Sequence, residues 1–568
     1  MTRRSFYLIA TAFLAAGLLA IYLAGNGRVP LFDRDEPRYA VTSRAMLAAG
    51  DWVVPRFLGE VRTAKPPAIY WLQAGAMKLL GTGEFAVRLP GALACAATVL
   101  LIAWGLAPLA GRRRAGWAAF SLGTSVLVLG VAKVGVIDGV LLLCVAIVQL
   151  CLLRLVLRRG RDLTNAAVLW TAIGLGGLLK GPVILGVLLM TLLAWWALPR
   201  LPAWGRRAKS LVIRTDAPSA PLRDEPRRSG ESGQASVRRL HVGLGVAILL
   251  LVCGPWLLMI SLREPTFLAT ALGHDVAGRS VRGLEGHGQP PGFHLLVIFG
   301  TWFPWSVLLP ATLIGTWRRR DDPLIRFALA ACIGPWIMFE LVATKLPHYL
   351  LVVFPMLALL TADWIVRSLR QIRRGEPPPG LRAAAVIYGA VALGFAVAPA
   401  LLGVTSIAAM VAGVAWGAVL LVTWWRRRLR AGLVAAGIGM PLVVAIAYLD
   451  WLGRVPMLTV SERVAIALDD AGAPEALMVH YKEPSLGWYA IERGVSVREA
   501  DEHVLATADG FATSTARRLE RLAPEVRARW EVVTRIPTRL YNDSLQSTDV
   551  LVLRAVEPPL PASRTTSH

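Results

Sequence analysis

Cysteine is scarce in this chain of 568 residues, which contains only Cys95, Cys144, Cys151, Cys253 and Cys332. Each of them lies inside an apolar run, and no two are spaced as C-x-x-C. The sequence therefore excludes a disulfide framework and a cysteine-based zinc site. Isolated cysteines in such runs behave as small buried hydrophobic residues.

Charged residues are also few. They make up 17% of the chain, whereas 55% is hydrophobic and the mean hydropathy is +0.55. Soluble domains carry about 25% charged residues. Apolar runs long enough to cross roughly 30 Å of hydrocarbon recur along the chain. The first run, 6–25, is longer than a signal-peptide core and no A-x-A site follows it, so we interpret it as a retained helix. The chain is predicted to be a polytopic α-helical membrane protein.

The net charge of +24 is unevenly distributed, which argues against a nucleic-acid partner. Residues 451–568 hold 14 Lys and Arg against 16 Asp and Glu, so the positive excess lies in the first 450 residues. There it forms short arginine blocks between apolar runs, at 111–116, 158–162, 317–322, 367–374 and 425–430. Such blocks at helix ends are orientation signals that stay in the cytoplasm.

Thirteen spans, counted from a cytoplasmic N-terminus, place every arginine block on the same side of the membrane. The first ten predicted spans are 6–25, 88–110, 115–132, 139–157, 165–179, 182–199, 241–262, 293–316, 323–343 and 350–366. Three more spans end outside near Trp451. Residues 200–240 are rich in Pro, Ser, Gly and charge in their centre and are predicted to be a disordered cytoplasmic loop.

The last part of the chain, 452–568, loses the long apolar runs and is predicted to be a small exoplasmic α/β domain. Residues 477–481 and 550–556 have the pattern of strands. Residues 510–530 have the pattern of a helix interrupted near Pro524.

A group of ionisable residues at the outer ends of the predicted spans is not explained by orientation. Its members are Asp33, Asp35, Glu36, Arg38, Lys65, Asp138, Lys180, Lys345, His348 and Glu483. Ionisable groups at membrane depth are costly unless they are paired or face water, so they mark functional cavities by default.

Lysine is also rare, since seven lysines occur against 54 arginines, and four of the seven belong to this outer side. Lysine is a common point-charge ligand of phosphate. The alternative for any one of them is a helix-end lysine that extends to the interface. Carboxylates, cations and a histidine together suit a phosphate at the lipid–water boundary, with a carboxylate placed for proton transfer or metal binding.

Four motifs lie between residues 34 and 93. They are Asp-Glu-x-Arg-Tyr-Ala (35–40), Gly-Asp-Trp-x-Val-Pro (50–55), Lys-Pro-Pro (65–67) and Phe-x-Val-Arg-x-Pro (85–90). This region resembles the opening of the ArnT-type lipid-linked aminoarabinose transferases, which are GT-C glycosyltransferases related to the protein O-mannosyltransferases. Further matches are Asp138, Leu-Leu-Lys-Gly-Pro (178–182), 345–360 and 483–489.

The resemblance implies a GT-C fold, with a transmembrane catalytic domain over 1–451 of about 13 transmembrane helices and a small periplasmic α/β domain over 452–568. The first periplasmic loop, 26–84, would be catalytic. In this comparison Asp35 is the main catalytic carboxylate and Asp138 is a second acidic residue at the site. The residues implied to hold the donor phosphate or line its cavity are Arg38, Lys65, Lys180, Lys345, His348 and Tyr349.

The resemblance also implies Glu483, with a neighbouring histidine, as a candidate ligand of a divalent metal ion, and no other cofactor. One departure is Leu-Pro-His-Tyr at 346–349, where ArnT proteins often have Leu-Pro-Thr-Tyr.

The expected function is that of an inverting glycosyltransferase in the inner membrane, with its active site and C-terminus facing the periplasm. The donor would be a sugar on polyprenyl phosphate, and the expected sugar is 4-amino-4-deoxy-L-arabinose or a similar one. The expected acceptor is lipid A. One alternative is transfer to protein Ser or Thr or to another glycan. An alternative of another class is a transporter or flippase for lipid-linked sugars, although the internal repeats and midplane polar residues typical of transporters are not evident.

Overall fold

The computed structural model of the chain describes residues 2–201, 238–271, 289–374, 381–540 and 546–556. Most of the loop predicted to be disordered, 200–240, lies outside the described residues.

Long helices form most of the described chain. Up to residue 201 they are α1 (Arg3–Leu23), α2 (Asp35–Ala49), α3 (Ala68–Leu80), α4 (Glu84–Ala110), α5 (Arg112–Gly123), α6 (Val126–Ala132), α7 (Asp138–Val156), α8 (Asp162–Lys180) and α9 (Val183–Ala197). From residue 238 they are α10 (Val242–Arg263), α11 (Phe267–Thr270), α12 (Phe293–Thr301), α13 (Leu309–Trp317), α14 (Pro323–Leu341), α15 (Phe354–Ile372), α16 (Leu381–Leu401), α17 (Ile407–Trp425) and α18 (Leu429–Ile446). Short 3-10 helices, Trp305–Leu308 and Pro347–Val353, lead into α13 and α15.

Eleven of the described helices are long and apolar enough to cross a membrane, and two bent helix pairs bring the number to thirteen if each pair is one span. The predicted polytopic fold is therefore confirmed. The span Pro347–Ile372 lies at the centre of the bundle, because the whole of its most apolar stretch is buried. The span Val242–Arg263 is peripheral, with 17% of that stretch buried.

Two of the spans predicted as continuous, 115–132 and 293–316, are instead broken. The axes of α5 and α6 meet at 60°, and those of α12 and α13 at 120°. Pro304 lies in the second break, where its ring and missing N–H prevent a regular helix from continuing. At the first break Thr124 Oγ1 donates to the Phe120 carbonyl at 2.7 Å, a local bond that competes with the helix.

The two breaks lie against each other. The backbone N–H of Val126 donates to the Phe303 carbonyl at 2.8 Å. The indole N–H of Trp305 donates to Thr124 Oγ1 at 3.1 Å. Irregular backbone is tolerated at membrane depth only where protein satisfies its polar groups, and here each break supplies partners to the other.

The C-terminal part forms an α/β unit. It contains β3 (Glu475–Met478), β4 (Ser496–Glu499), β5 (Phe511–Thr515), β6 (Trp530–Leu540) and β7 (Gln546–Ala555), after the short hairpin β1 (Arg56–Phe57) and β2 (Glu60–Val61) in the first loop. The sheet order is β4-β3-β5-β7-β6, with β3 parallel to β4 and β5, and β7 antiparallel to β5 and β6. Its helices are α19 (Val460–Asp470), α20 (Pro484–Glu492), α21 (Ala516–Leu519) and α22 (Pro524–Ala528).

The strand predicted at 550–556 corresponds to the end of β7, whereas the prediction of a helix over 510–530 is wrong. Residues 511–515 form the central strand β5, buried along its whole length, and only short helices follow it. Pairing with a strand on each side outweighs the helical preference of the residues that follow. The strand predicted at 477–481 is shifted to 475–478, so His480 and Tyr481 lie beyond its end.

Candidate functional site

Asp138 and Lys180 form a close ion pair at one end of the helix bundle. Lys180 Nζ lies 2.7 Å from Asp138 Oδ1, and the two side chains are 13% and 8% exposed. His348 Nε2 lies 3.8 Å from Asp138 Oδ2. These three residues lie far apart in the sequence, and the fold brings their side chains together.

Helix termini place these two charges. Asp138 is the first residue of α7 and Lys180 is the last residue of α8. A carboxylate at a helix N-terminus and an ammonium at a helix C-terminus both complement the helix macrodipole. The two spans run antiparallel, so the favourable ends of their dipoles meet at the same depth.

An aromatic wall adjoins the pair. Lys180 Nζ lies 5.1 Å from the centre of the Tyr349 ring, a cation–π distance. Tyr349 in turn packs against His348 and Phe339, with ring centroids 5.1 Å apart in both cases. These side chains, with the ion pair, line a small cavity. His348 and Tyr349 thus line this cavity, and their role toward a donor phosphate stays a prediction.

Asp35, Arg38 and Lys65 approach the same place from the first loop. Asp35 begins α2, is 51% exposed, and lies 3.9 Å from Arg38 Nη1. Both Asp35 and Lys65 are close enough to His348 to interact with it electrostatically, and Lys65 also acts on Asp138. The structure therefore brings Asp35, Lys65, Asp138, Lys180 and His348 into one electrostatic group.

Two further residues at the site were not singled out in the sequence. Tyr39 follows Arg38 in α2 and is buried, and burial together with the Asp35 carboxylate raises its pKa well above 10. Arg62 lies over the Tyr39 ring at 5.7 Å and donates from Nε to the Tyr70 hydroxyl at 3.1 Å. Tyr39 stands in the motif Asp-Glu-x-Arg-Tyr-Ala and Arg62 lies three residues before Lys-Pro-Pro, so nearness to these motifs was the available signal.

Glu36 has a different role from its neighbour Asp35. Its side chain and that of Arg88 are both fully buried, and Glu36 Oε1 lies 2.7 Å from Arg88 Nε. Glu36 Oε2 accepts from Arg88 Nη2 at 3.0 Å and from the Phe32 backbone at 2.8 Å, while Oε1 also accepts from Gly135 N at 2.6 Å. The remaining Arg88 donors bind the carbonyls of Asn26, Val29 and Pro30.

All five N–H donors of Arg88 and all four acceptor positions of Glu36 are therefore used. Gly135 lies three residues before Asp138, so this pair ties the loop that carries Asp35 to the turn that carries Asp138. We call it the Glu36–Arg88 clamp. The clamp fixes the positions of the two candidate catalytic carboxylates, Asp35 and Asp138, relative to each other.

Lys345 makes its hydrogen bonds outside this group. Its Nζ donates to the carbonyls of Gln289 at 3.0 Å and Val342 at 2.9 Å. Nearby, the Glu340 carboxylate accepts from the backbone of Gly292 and His294 at the start of α12. The contacts of Lys345 in the structure are those of a structural residue, and its predicted phosphate-binding role stays a prediction.

Glu483 lies in the C-terminal domain beside Asp33. The Asp33 carboxylate accepts from the Ser485 backbone at 2.8 Å and from the Ser485 hydroxyl. Burial, reinforced by the Glu483 charge, raises the pKa of Asp33 to about 7. His480, the nearby histidine, bonds Ser514 Oγ at 2.8 Å and Glu502 at 3.0 Å. Within the described part of the chain, no group of three or more His, Cys, Asp or Glu side chains is arranged to hold a metal ion.

The C-terminal domain docks on the first loop, 26–84, through α20. Arg44 of α2 lies 4.2 Å from the centre of the Trp488 ring and donates to the Trp488 carbonyl at 2.8 Å. The Leu31 backbone donates to the Tyr489 hydroxyl at 3.0 Å. The motif at 483–489 thus supports α2, which carries Asp35.

The arrangement combines an exposed carboxylate at the start of α2 with a buried carboxylate–ammonium pair that lines a cavity at one end of the helix bundle. Lys65 is within electrostatic reach of the pair. Such a site can bind an anion and place a carboxylate beside it.

Comparison with known proteins gives matches along nearly the whole chain. Residues 64–211 match the family described as dolichyl-phosphate-mannose-protein mannosyltransferase. The undecaprenyl phosphate-alpha-4-amino-4-deoxy-L-arabinose arabinosyl transferase of Edwardsiella ictaluri is 30% identical over 397 residues, which are 68% of this chain and 64% of that protein. Its counterpart in Serratia proteamaculans is 31% identical over 368 residues, 63% of this chain and 60% of that protein. The alignments thus span less than two thirds of these relatives.

Solved structures extend the match. ArnT from Cupriavidus metallidurans bound to undecaprenyl phosphate superimposes with a TM-score of 0.73 at 20% identity, covering 94% of this chain and 96% of that one. The oligosaccharyltransferase of Archaeoglobus fulgidus matches with a TM-score of 0.51 at 11% identity, covering 90% of this chain and 70% of that one. The GT-C fold, with a small C-terminal sheet domain, is confirmed.

Proposed function

We propose, from the premise that the chain is ArnT-like in sequence and fold, that it is an integral-membrane glycosyltransferase. It would move a sugar from a polyprenyl-phosphate donor to an acceptor at the periplasmic face of the inner membrane. The observation that carries the proposal is the Asp138–Lys180–His348 cluster, which lies at the end of the bundle reached by Asp35 and Lys65. The polyprenyl tail of the donor stays in the bilayer, so a protein can bind the donor phosphate only at the level of the membrane surface.

The donor phosphate would be held by the cations of this group. Lys180 lines the cavity, Lys65 acts electrostatically on Asp138, and Arg38 lies 3.9 Å from Asp35. Each charge-assisted hydrogen bond to an anion contributes roughly 1.5–3 kcal/mol. Lys180 is already placed by Asp138 and the Tyr349 ring, so it needs little reorganisation when a phosphate enters. As the sugar leaves, charge grows on the phosphate and these cations stabilise it.

The carboxylates would act on the other reactant. Asp35 is half exposed at the start of α2, where an acceptor can reach it. Asp138 is buried against Lys180, which suits a residue that orients the lysine. We therefore assign the contact with the acceptor to Asp35 and the placement of the phosphate-binding cation to Asp138. Inversion at the sugar carbon then follows from direct displacement, and no covalent carboxylate adduct is expected.

The sugar that best fits the relatives is 4-amino-4-deoxy-L-arabinose, and lipid A is the acceptor that the resemblance in sequence implies. The named sugar is that of the Edwardsiella ictaluri and Serratia proteamaculans relatives. The arginine blocks support the proposed orientation, because such blocks stay in the cytoplasm and Asp138 lies at the other end of the predicted spans.

A divalent metal at Glu483 is not supported by the residues around it. Asp33 is the neighbouring carboxylate, and it already accepts two hydrogen bonds from Ser485. Two carboxylates and no further ligand among the described residues fall short of a protein-held metal site. No step of the proposed reaction depends on a metal.

The test is transfer by the purified full-length protein from an undecaprenyl-phosphate aminoarabinose donor to lipid A, read by mass spectrometry. Lys180→Met and Asp138→Asn are expected to lower the rate by about 10-fold or more, because each removes one charge-assisted contact. Lys78→Met, at an exposed position of α3, is the matched control and should keep the wild-type rate. Equal rates in all variants, or no transfer by the wild type, would overturn the proposal.

A second candidate is transfer to a hydroxyl of a protein or another glycan, which the match of 64–211 to protein mannosyltransferases favours. A hydroxyl must lose its proton as it attacks, and a carboxylate base typically contributes 10²–10⁴-fold. An acid-side fall in rate that disappears in Asp35→Asn would support a hydroxyl acceptor. A phosphate acceptor on lipid A is already an anion and predicts that this fall persists in the variant.

A further inference from the structure

A line of hydrogen-bonded side chains joins the C-terminal domain to the first loop. Tyr481 Oη lies 2.7 Å from Ser461 Oγ, and Ser461 Oγ lies 2.6 Å from Ser485 Oγ. The Ser485 hydroxyl donates to Asp33 Oδ2, and the Ser485 backbone N–H donates to Asp33 Oδ1 at 2.8 Å. Tyr481, Ser461 and Ser485 are at most 3% exposed. We call these four residues the Asp33 network.

The hydroxyl protons of this network point in one direction. Each hydroxyl has a single proton to donate, and Ser485 uses its proton on the Asp33 carboxylate. Ser461 must therefore donate to Ser485, and Tyr481 to Ser461. Hydrogen bonds in such a line polarise one another, so the contact with Asp33 depends on the members behind it.

The Asp33 network anchors one side of the segment that carries Asp35. Ser485 lies in α20 of the C-terminal domain, and Asp33 lies two residues before Asp35. On the other side of Asp35, the clamp fixes Glu36 to the helix bundle through Arg88. The backbone around Asp35 is thus held by the C-terminal domain before it and by the helix bundle after it.

Asp35 itself is not held by a short contact of its own to Arg38. Its side chain is 51% exposed, and its Oδ1 lies 3.9 Å from Arg38 Nη1, which is too far for a hydrogen bond. The position of this carboxylate therefore depends on the anchored residues on either side of it.

We propose that Ser461 and Ser485 are positioning residues, which act through Asp33 to place the Asp35 carboxylate for the transfer reaction. The inference rests on the role that the proposed function gives to Asp35. The C-terminal domain then raises the rate without contacting either reactant. Misplacing a reacting group by about 1 Å can lower a rate about 100-fold. The donor phosphate is assigned to other residues, so the effect falls on kcat and not on the donor KM.

The kinetic test compares serine variants of the purified full-length protein in the transfer assay, after thermal unfolding has shown that each is folded. Ser485→Ala is expected to lower kcat by about 10-fold or more and to leave the donor KM close to the wild-type value. Ser485→Thr keeps a hydroxyl group and should recover most of the lost kcat. The matched control is Ser496→Ala, an exposed serine at the start of β4, which should keep the wild-type kcat.

A double variant distinguishes the network from independent packing effects. Ser461→Ala should lower kcat less than Ser485→Ala does, because both Ser485 contacts with Asp33 remain. In the Ser485→Ala background, Ser461→Ala should lower kcat no further, since the line to Asp33 is already broken. Independent sites have additive effects. Additive losses of kcat would therefore overturn the proposal.

Amide hydrogen exchange tests the same inference without a substrate. Ser485→Ala should exchange faster than the wild type over residues 32–42 and like the wild type over α7, Asp138–Val156. Unchanged exchange over 32–42 would overturn the inference even if the wild type transfers the sugar. A wild-type kcat in folded Ser485→Ala would overturn it as well. A wild type that transfers no sugar would refute the proposed function, whereas the exchange result would still decide whether the network holds this segment.

Discussion

Disruption of the Glu36–Arg88 clamp should destabilise the protein strongly, although neither residue faces the cavity. Both side chains are 0% exposed. Removing one partner of a buried ion pair leaves the other charge uncompensated and costs about 3–5 kcal/mol. Glu36→Gln keeps the shape of the side chain but replaces one carboxylate oxygen, an acceptor, by an NH₂ group, a donor. This donor then faces the N–H donors of Arg88 or of the backbone. We expect Glu36→Gln and Arg88→Met each to lower the apparent free energy of unfolding in detergent by that amount.

A surface pair provides the matched control. Arg498 Nε lies 2.8 Å from Glu475 Oε1, nearly the distance in the clamp, but these side chains are 62% and 54% exposed. An exposed pair contributes about 0–1 kcal/mol. Glu475→Gln and Arg498→Met should therefore remain close to the wild type. Losses in the clamp variants no larger than in these controls would refute the reasoning.

The double variant Glu36→Met, Arg88→Met separates a clamp from an ordinary ion pair. Replacing both members of a buried pair by apolar residues is often neutral or stabilising. Here the pair also satisfies five backbone groups, those of Phe32 N, Gly135 N and the carbonyls of Asn26, Val29 and Pro30. Each buried group left unsatisfied costs about 1–3 kcal/mol. The double variant should thus remain destabilised by several kcal/mol, and wild-type stability would show that the backbone contacts contribute little.

Three further predictions concern Asp33, Lys345 and topology. Because the pKa of Asp33 is raised to about 7, its contribution to stability is fully present below about pH 4 and is lost as the pH rises through 7. The unfolding temperature should therefore fall between pH 5 and pH 8. The fall should be smaller in Asp33→Asn and as large as in the wild type in the exposed control Asp470→Asn. Identical slopes in all three proteins would contradict this. Lys345→Met should lose stability, since two carbonyls lose their donor, whereas a raised donor KM at normal stability would establish the predicted phosphate role. Reporters fused after Trp451 and within 208–237 should lie in opposite compartments, periplasmic and cytoplasmic, and the same compartment for both would refute the thirteen-span order.

The spans could be predicted because length and apolar content alone decide whether a segment crosses a bilayer. The breaks within two of them could not, because a break at membrane depth depends on what satisfies its backbone. Val126 and Phe303 supply that partner to each other from segments far apart in the chain. In the C-terminal domain β5 was missed for a related reason, since the pairing of 511–515 with two neighbouring strands is invisible in the local pattern.

The candidate site was largely predictable as a set but not as an arrangement. Asp35, Asp138, Lys180 and His348 were singled out because membrane orientation does not explain their charges. The fold brings them together. Arg88 was missed as the partner of Glu36, even though it lies in one of the quoted motifs. An arginine just inside an apolar run, away from the arginine blocks, was the available signal.

Completeness of hydrogen bonding divides the buried charges of this protein into two kinds. In the Glu36–Arg88 clamp every donor and acceptor is used within the chain, so nothing is left for a ligand and the pair can only position its surroundings. The arginine cluster around Asp363 is less complete, because three guanidinium groups, those of Arg114, Arg319 and Arg367, share one buried carboxylate. The Asp138–Lys180 pair is intermediate, because Lys180 has three N–H donors and its close carboxylate contact is to one oxygen. A phosphate can therefore join Lys180 without displacing Asp138, and this is the electrostatic condition that a donor-binding site at the membrane surface must meet.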